Sequence, residues 1–182
     1  MNAEENVQQL WSTPILIGNL DVAPLVNGSA LDAIEKSGQR LETADPATVL
    51  TDRAGLEAEF LASFTALAQA SGLPVPSGVD VQVQLWRGGY DLPSAGFSED
   101  FVGWCFLNGG QGRSHDESGA VSVADPRAGS AMTAMPGLPF GRQVIIRHQA
   151  GAHMAVPGWL TCSVVPVEAG QQATVAFAAS RR

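Results

Sequence analysis

The second half of the chain consists of short apolar segments separated by turn residues. Over residues 79–86 apolar and polar positions alternate, which is the period of a strand with two different faces. From Pro76 onward Gly, Pro, Asn and Asp interrupt the apolar segments at the spacing typical of an all-β sandwich or barrel. The same pattern predicts six further strands, at 101–107, 119–124, 143–148, 152–156, 160–165 and 173–178.

The N-terminal third has a different pattern, which predicts one short strand and two helices. An apolar, β-branched segment at 15–17 predicts the strand, and Asn27-Gly28-Ser29 provides capping residues for a short amphipathic helix. Apolar residues spaced by three and four predict a longer helix over 52–71. With 182 residues, the chain is expected to form a single domain: a strand plus helices over 1–75 and jelly-roll strands over 76–182. The predicted fold class is therefore mainly β, a jelly roll with buttressing N-terminal helices.

Composition narrows the range of partners. The formal net charge is −8 and Lys36 is the only lysine, so nucleic acid and anionic membranes are expected to be poor partners. The first residues do not resemble a signal peptide and no apolar run of 18 residues occurs, which favours a cytoplasmic protein with free thiols. Three His and two Cys are too few for zinc-finger or iron–sulfur arrays.

The segment from Ser114 to Gly119 carries the most suggestive local motif. On an extended segment His115 and Glu117 project from the same face, as in the His-x-carboxylate half of a facial triad that binds Fe(II). The alternative is a polar turn with a solvated His. The sequence is compatible with both interpretations.

Other residues are candidates for binding or catalysis. Arg142 and Arg147 have guanidinium groups suited to an anionic carboxylate, although structural ion pairs are the alternative. His148 and His153 are five residues apart, so a common face depends on the turn between them. Cys162 is a small apolar core residue unless a cation or a metal lowers its pKa. Four aromatic residues, most simply explained as core, are alternative pocket residues: Trp86, Tyr90, Trp104 and Trp159.

The order of several short motifs along the chain resembles a known family. The matching residues are Leu10-Trp11-Ser12-Thr13-Pro14-Ile15, Trp104, His115, Ser118-Gly119-Ala120-Val121, Asp125-Pro126-Arg127, Val156-Pro157-Gly158-Trp159-Leu160, Ser163-Val164, Pro166 and Phe177. This pattern resembles the small bacterial 2-oxoglutarate/Fe(II)-dependent oxygenases. The resemblance implies a double-stranded β-helix, Fe(II) and 2-oxoglutarate as cofactors, and a small-molecule substrate. Cys162 stands at the position of the family's distal metal-binding His, and Gln172 is closest to the position of its 2-oxoglutarate-binding Arg.

Two classes of function follow. In the first, a divergent oxygenase hydroxylates or desaturates a small molecule, with Fe(II) bound by His115, Glu117 and a third ligand from Cys162, His148 or His153. An Arg such as Arg142 or Arg147, or Gln172 at the family's position, would then hold the co-substrate. In the second, the iron site is lost, and the protein is a non-redox cyclase, isomerase or hydrolase, or a ligand-binding protein. His115, Asp116, Glu117 and Cys162 would then be the catalytic candidates. A homodimer is compatible with either class.

Overall fold

Ten strands form two antiparallel sheets in the computed structural model, which describes residues 13–33, 38–110, 114–127 and 143–182. The six-stranded sheet contains, in spatial order, β1 (Leu16–Asn19), β8 (Ala152–Pro157), β5 (Phe101–Phe106), β10 (Gln172–Arg181), β3 (Gly78–Arg87) and β2 (Leu41–Ala44). The four-stranded sheet contains β4 (Leu92–Ala95), β9 (Cys162–Val164), β6 (Val121–Val123) and β7 (Val144–Ile146). The predicted mainly β, jelly-roll class is confirmed.

One long helix covers the outer face of the six-stranded sheet. The described helices are α1 (Gly28–Ala33), α2 (Pro46–Val49) and α3 (Arg53–Ser71), so the helix predicted over 52–71 is confirmed. The Asp52 side chain caps α3 by accepting a 2.8 Å hydrogen bond from the Gly55 amide, and Gly72 ends it at a φ of 66°. None of these helices is long and apolar enough to cross a membrane.

The seven strands predicted from residue 76 onward are all present, with ends shifted by at most three residues. The short strands β2 and β4 were not predicted. β4 contains Pro93 and lies at the edge of its sheet, where a residue without an amide hydrogen is tolerated. Burial of β2 alternates between exposed and half-buried positions, so its apolar signal is weak.

Alternation along the strands divides the interior into two apolar cores. On β5, Phe101 and Cys105 face α3, whereas Val102, Trp104 and Phe106 face the four-stranded sheet. We call the layer between α3 and the six-stranded sheet the helix-side core and the layer between the two sheets the inter-sheet core. Among the described residues, the buried members of the inter-sheet core are Trp86, Val102, Trp104, Phe106, Val121, Val123, Ile146, Met154, Val156, Leu160, Cys162, Val164, Val167, Ala173 and Val175.

Candidate functional site

The inter-sheet core is filled by apolar and aromatic side chains. Phe97, Trp104 and Phe177 form a cluster with ring centroids 5.5 to 5.7 Å apart, and Trp86 packs edge-on against Phe106 at 6.0 Å. Trp86 Nε1–H donates to Gln84 Oε1 at 2.9 Å, which satisfies its polar atom. The buried members of the inter-sheet core, including Trp86 and Trp104, are therefore packing residues. This agrees with the simpler interpretation of these two tryptophans.

Cys162 lies within this core at the start of β9. The register places it opposite Ala95 on β4 and opposite Val123 on β6, so neither flanking strand offers a metal-binding side chain at that level. Burial raises the pKa of the Cys162 thiol to about 12. At neutral pH the group is a neutral thiol whose sulfur lies 3.5 Å from the Leu160 carbonyl oxygen. Its surroundings favour an inert apolar role over that of a nucleophile or thiolate ligand.

His115, Asp116 and Glu117 form a turn at the surface. The Ser118 amide donates to the His115 carbonyl at 3.1 Å, and the Glu117 amide donates to His115 Nδ1 at 3.2 Å. Because the backbone turns here, the extended geometry that the His-x-Glu prediction requires is absent. The structure corresponds to the alternative interpretation, a polar turn whose His115 side chain is exposed.

Hydrogen bonds to Glu168 hold this turn against the β9–β10 connection. The Ser114 amide donates to Glu168 Oε2 at 3.0 Å, and the Ser114 hydroxyl donates to Glu168 Oε1. These bonds from Ser114 lower the pKa of the Glu168 carboxyl. The turn thus has a structural partner in a carboxylate that the sequence motif does not include.

The turn and Cys162 lie at opposite ends of one strand pair. Gly119 donates to the Val165 carbonyl at one end of the β6–β9 ladder, and Val123 pairs with Cys162 at the other. β6 runs from Val121 to Val123 between these two ends, and no three His, Cys, Asp or Glu side chains converge in the described part of the chain. The structure therefore does not bring His115 and Glu117 together with Cys162.

The two remaining histidines are buried and hydrogen-bonded elsewhere. His153 lies in the helix-side layer, where Nε2 is 2.9 Å from Ser63 Oγ and Nδ1 is 3.2 Å from the Trp104 carbonyl oxygen. Burial lowers the pKa of His153 to about 4, so its ring is neutral at pH 7. His148 Nε2 is 3.0 Å from Asn108 Oδ1, and its ring packs against Phe106. Among the residues that the structure describes, neither belongs to a group of three or more metal-binding side chains.

Of the three predicted co-substrate residues, the two that the structure describes, Arg147 and Gln172, lie in different parts of the fold. Arg142 lies outside the described residues, and Arg147 is exposed after β7. Gln172 pairs with Arg87 in the β10–β3 ladder, and its Oε1 accepts from Arg87 Nε at 3.2 Å. Since the next residue, Ala173, belongs to the inter-sheet core, Gln172 points to the opposite face of the sheet. It therefore faces away from the inter-sheet core.

A cleft of about 570 Å³ lies beside the β8–β9 turn. We call it the Trp159 cleft. Its walls come from the start of β1, the end of α3, the β4–β5 loop and the β8–β9 turn. Its lining residues are Thr13, Pro14, Ala70, Ser71, Leu73, Phe97, Ser98, Glu99, Asp100, Pro157 and Trp159.

Trp159 is held in an exposed position by its backbone. The Leu160 amide donates to the Pro157 carbonyl at 3.0 Å, which closes a β-turn with Trp159 near its tip. Gly158 packs so closely on the β4–β5 loop that a Cβ there would lie 1.9 Å from the Glu99 carbonyl oxygen. Two further backbone bonds, Gly158 to Asp100 at 2.9 Å and Phe97 to Gly158 at 2.8 Å, fix the turn. The Trp159 side chain is nevertheless 61% exposed.

The sequence does not show that Trp159, unlike Trp86 and Trp104, is exposed. Glu99 and Leu73, which line the same cleft, were not predicted at all. The available signal was Pro157-Gly158 directly before Trp159, which is typical of a tight turn at the surface. It could not show that the turn is clamped by the distant loop at Glu99 and Asp100.

Comparison with solved structures places this architecture among known folds. The chain is similar to a Pseudomonas putida prolyl-4-hydroxylase, with 14% identity over 78% of this chain and 71% of that one, and a TM-score of 0.56. It is also similar to SnoN, the non-heme alpha ketoglutarate dependent epimerase of nogalamycin biosynthesis, with 13% identity over 93% and 82% of the two chains and a TM-score of 0.50. HygX from Streptomyces hygroscopicus, solved with nickel and 2-oxoglutarate bound, gives 12% identity, coverage of 93% and 83%, and a TM-score of 0.50. The chain therefore shares its fold with these three proteins. No protein-family model and no curated sequence matches the chain.

Iron and 2-oxoglutarate, which the resemblance implies, do not fit the side chains that the structure describes. Every His and Cys of the chain is among the described residues, yet no three His, Cys, Asp or Glu side chains in that part converge as a metal site. The space between the sheets holds apolar side chains where a metal and a dicarboxylate need charged and polar partners. The ligand set predicted from the sequence is therefore not assembled in this fold.

Proposed function

We propose that this chain is a metal-independent binding protein on an oxygenase-type fold, and that the Trp159 cleft is its ligand site. The observation that carries the proposal is the exposed Trp159 on a turn that Gly158 holds rigidly against the β4–β5 loop. Exposing a large aromatic side chain on a fixed backbone forgoes burial worth about 1.5–3 kcal/mol for a large apolar side chain. A ligand that covers the ring recovers that contribution.

The charge of the cleft indicates the class of ligand. Glu99 and Asp100 line it, and none of the described lining residues is basic. Hydrogen bonds from Arg182 lower the pKa of Asp100, so its carboxylate is charged at neutral pH and already partly neutralised. Glu99, which lines the same cleft as Trp159, supplies a second carboxylate. An aromatic face next to a carboxylate favours an organic cation with an apolar body.

An iron-dependent oxygenase, the first hypothesis from the sequence, is supported by the fold alone. It requires donors that the described inter-sheet core does not provide at Cys162 or on its flanking strands. We therefore favour the binding function. Anaerobic titration with Fe(II) and 2-oxoglutarate distinguishes the two, because a charge-transfer band would contradict the metal-independent proposal.

The binding proposal is tested with two ligands that share one ring system and differ in charge. Tryptamine carries a cation and indole-3-acetate an anion, and isothermal titration calorimetry measures both. We expect tryptamine to bind the wild-type protein at least about tenfold more tightly, because only its ammonium group complements Glu99. Equal affinities, or no saturable binding of either compound, would overturn the assignment.

Matched variants locate the binding. Trp159→Ala is expected to abolish measurable tryptamine binding, and Glu99→Gln to weaken it several-fold. Glu59→Gln removes the same charge from an exposed position on α3 outside the cleft and serves as the control. If Glu59→Gln weakens binding as much as Glu99→Gln does, the effect comes from net charge and the cleft is not the site.

A further inference from the structure

A second cleft, of about 300 Å³, lies where β2, β3 and β10 meet. It has no lining residue in common with the Trp159 cleft. We call it the two-arginine cleft. It is lined by Gly38, Gln39, Arg40, Arg87, Gly88, Ala169, Gly170, Gln171 and Gln172. Two of these nine residues are arginines and none is acidic, in a chain whose net charge is −8. The lining is therefore the reverse in charge of the molecule as a whole.

Arg87 is a built part of this cleft. It is 8% exposed at the end of β3, on the face opposite to the inter-sheet core. Its guanidinium donates to Glu42 Oε2 at 2.7 Å and to Gln172 Oε1 at 3.2 Å. A buried guanidinium held from two sides has a fixed position, which reduces the entropy lost when it contacts a ligand.

Arg40 brings a second positive charge to the same place. The Arg87 amide donates to the Arg40 carbonyl at 2.8 Å, so the two residues are joined through their backbones. The Arg40 side chain crosses Gly89, where an added Cβ would lie 3.3 Å from Nε. Arg40 forms no ion pair with any residue in the ranges that the structure describes.

The charges in this cleft do not cancel. Glu42 pairs with Arg87 and balances one guanidinium, which leaves the charge of Arg40 beside it. A small anion bound in the cleft would balance this remaining positive charge. The amide side chains of Gln39, Gln171 and Gln172 belong to the same lining and have the chemistry of hydrogen-bond donors. Gly88 and Gly170 leave two positions of the cleft wall without a side chain, which gives a compact group room to approach the backbone.

We infer that the two-arginine cleft is a binding site for a small oxyanion, a carboxylate or a phosphate group on a compact metabolite. Both groups present oxygen pairs that guanidinium donors recognise. The site is separate from the Trp159 cleft and does not depend on the function proposed for it. It gives the acidic protein a second ligand of opposite charge to the first.

The test uses sodium phosphate and sodium acetate as probes, with sodium chloride at equal ionic strength as the reference. Heteronuclear NMR follows the arginine Nε–H signals and the amides of Gly88 and Gly170 during each titration. We expect saturable shifts at these signals with at least one probe, and the stronger probe identifies the preferred oxyanion. Sodium chloride is expected to produce only small, non-saturating shifts.

Two variants of equal charge change decide the location. Arg40→Gln removes an exposed guanidinium of the cleft and is expected to raise the dissociation constant about tenfold or more. Arg53→Gln removes an exposed guanidinium on α3, paired with Glu57, and is expected to leave it unchanged. Absence of saturable shifts with both probes, or equal weakening in the two variants, would overturn the inference.

Discussion

The two faces of the six-stranded sheet bury different kinds of residue. The face toward the four-stranded sheet packs apolar and aromatic side chains such as Trp104 and Val175, with Cys162 among them as a neutral thiol. The opposite face, although mainly apolar under α3, also carries buried polar groups, His153 with Ser63 and Arg87 with Glu42. The described side chains between the two sheets therefore serve packing. The difference shows that fold and chemistry are separable in this chain.

The largest expected effect tests whether the inter-sheet core is a packed core. Trp104→Ala removes a ring that contacts Phe97 and Phe177, and it should lower the free energy of unfolding by about 3–5 kcal/mol. Urea denaturation measures the loss.

The same substitution at Trp159 is its control. That side chain is exposed, so Trp159→Ala should change stability by less than about 0.5 kcal/mol. Similar losses in the two variants would mean that the contrast between the core and the Trp159 cleft is mistaken.

An intermediate effect is the pH dependence of stability that arises from His153 in the helix-side core. Burial holds the pKa of His153 at about 4, below the ordinary value of 6.5, so the unfolded chain takes up a proton that the folded protein does not. Stability should therefore fall as pH decreases from about 6.5 to about 4, by up to about 3 kcal/mol from this residue. Urea denaturation at a series of pH values measures this slope.

Two histidine variants assign that slope. His153→Gln should flatten it over this pH range, whereas His115→Gln, at an exposed position, should retain the wild-type slope. A slope that survives in His153→Gln would show that the helix-side face does not contain the group responsible.

The smallest expected effect is on the free energy of unfolding when His115, the predicted metal-binding residue, is replaced. His115→Ala should change the free energy of unfolding by less than about 0.5 kcal/mol, because the side chain lies on a surface turn. His148→Ala is the matched comparison and should cost about 1–3 kcal/mol, since it removes a buried ring that packs against Phe106 and is hydrogen-bonded to Asn108. A larger loss in His115→Ala than in His148→Ala would reverse the comparison.

The sequence predicts the fold well where an element is long or strongly apolar. α3 and β3 have clear periodicities, and the structure contains both close to the predicted bounds. β4 is missed because Pro93 and its polar neighbours obscure a four-residue edge strand whose partners lie far along the chain. Pairing across such distances has no local signal.

The candidate site is predicted less well, for a different reason. His115 and Glu117 are chemically suggestive of a metal site, but Asp116, Ser118 and Gly119 around them favour turns, and the backbone forms a turn here.

Arg87 is missed although it has a local signal. It follows Val83 and Leu85 on a buried face, and a charged residue at such a position needs a partner. Which partner it finds, Glu42 and Gln172, is decided only by tertiary pairing.

The position of β10 has a consequence for how the sheet forms during synthesis. This strand, the last in chain order, pairs with β3 over ten residues and with β5 over five. Without residues 172–181, the edges of β3 and β5 that pair with β10 have no partner strand within the six-stranded sheet. Unpaired β edges of this kind are prone to association with other chains before β10 is in place. Completion of the sheet is a late, non-local step, and slow folding is expected for this topology.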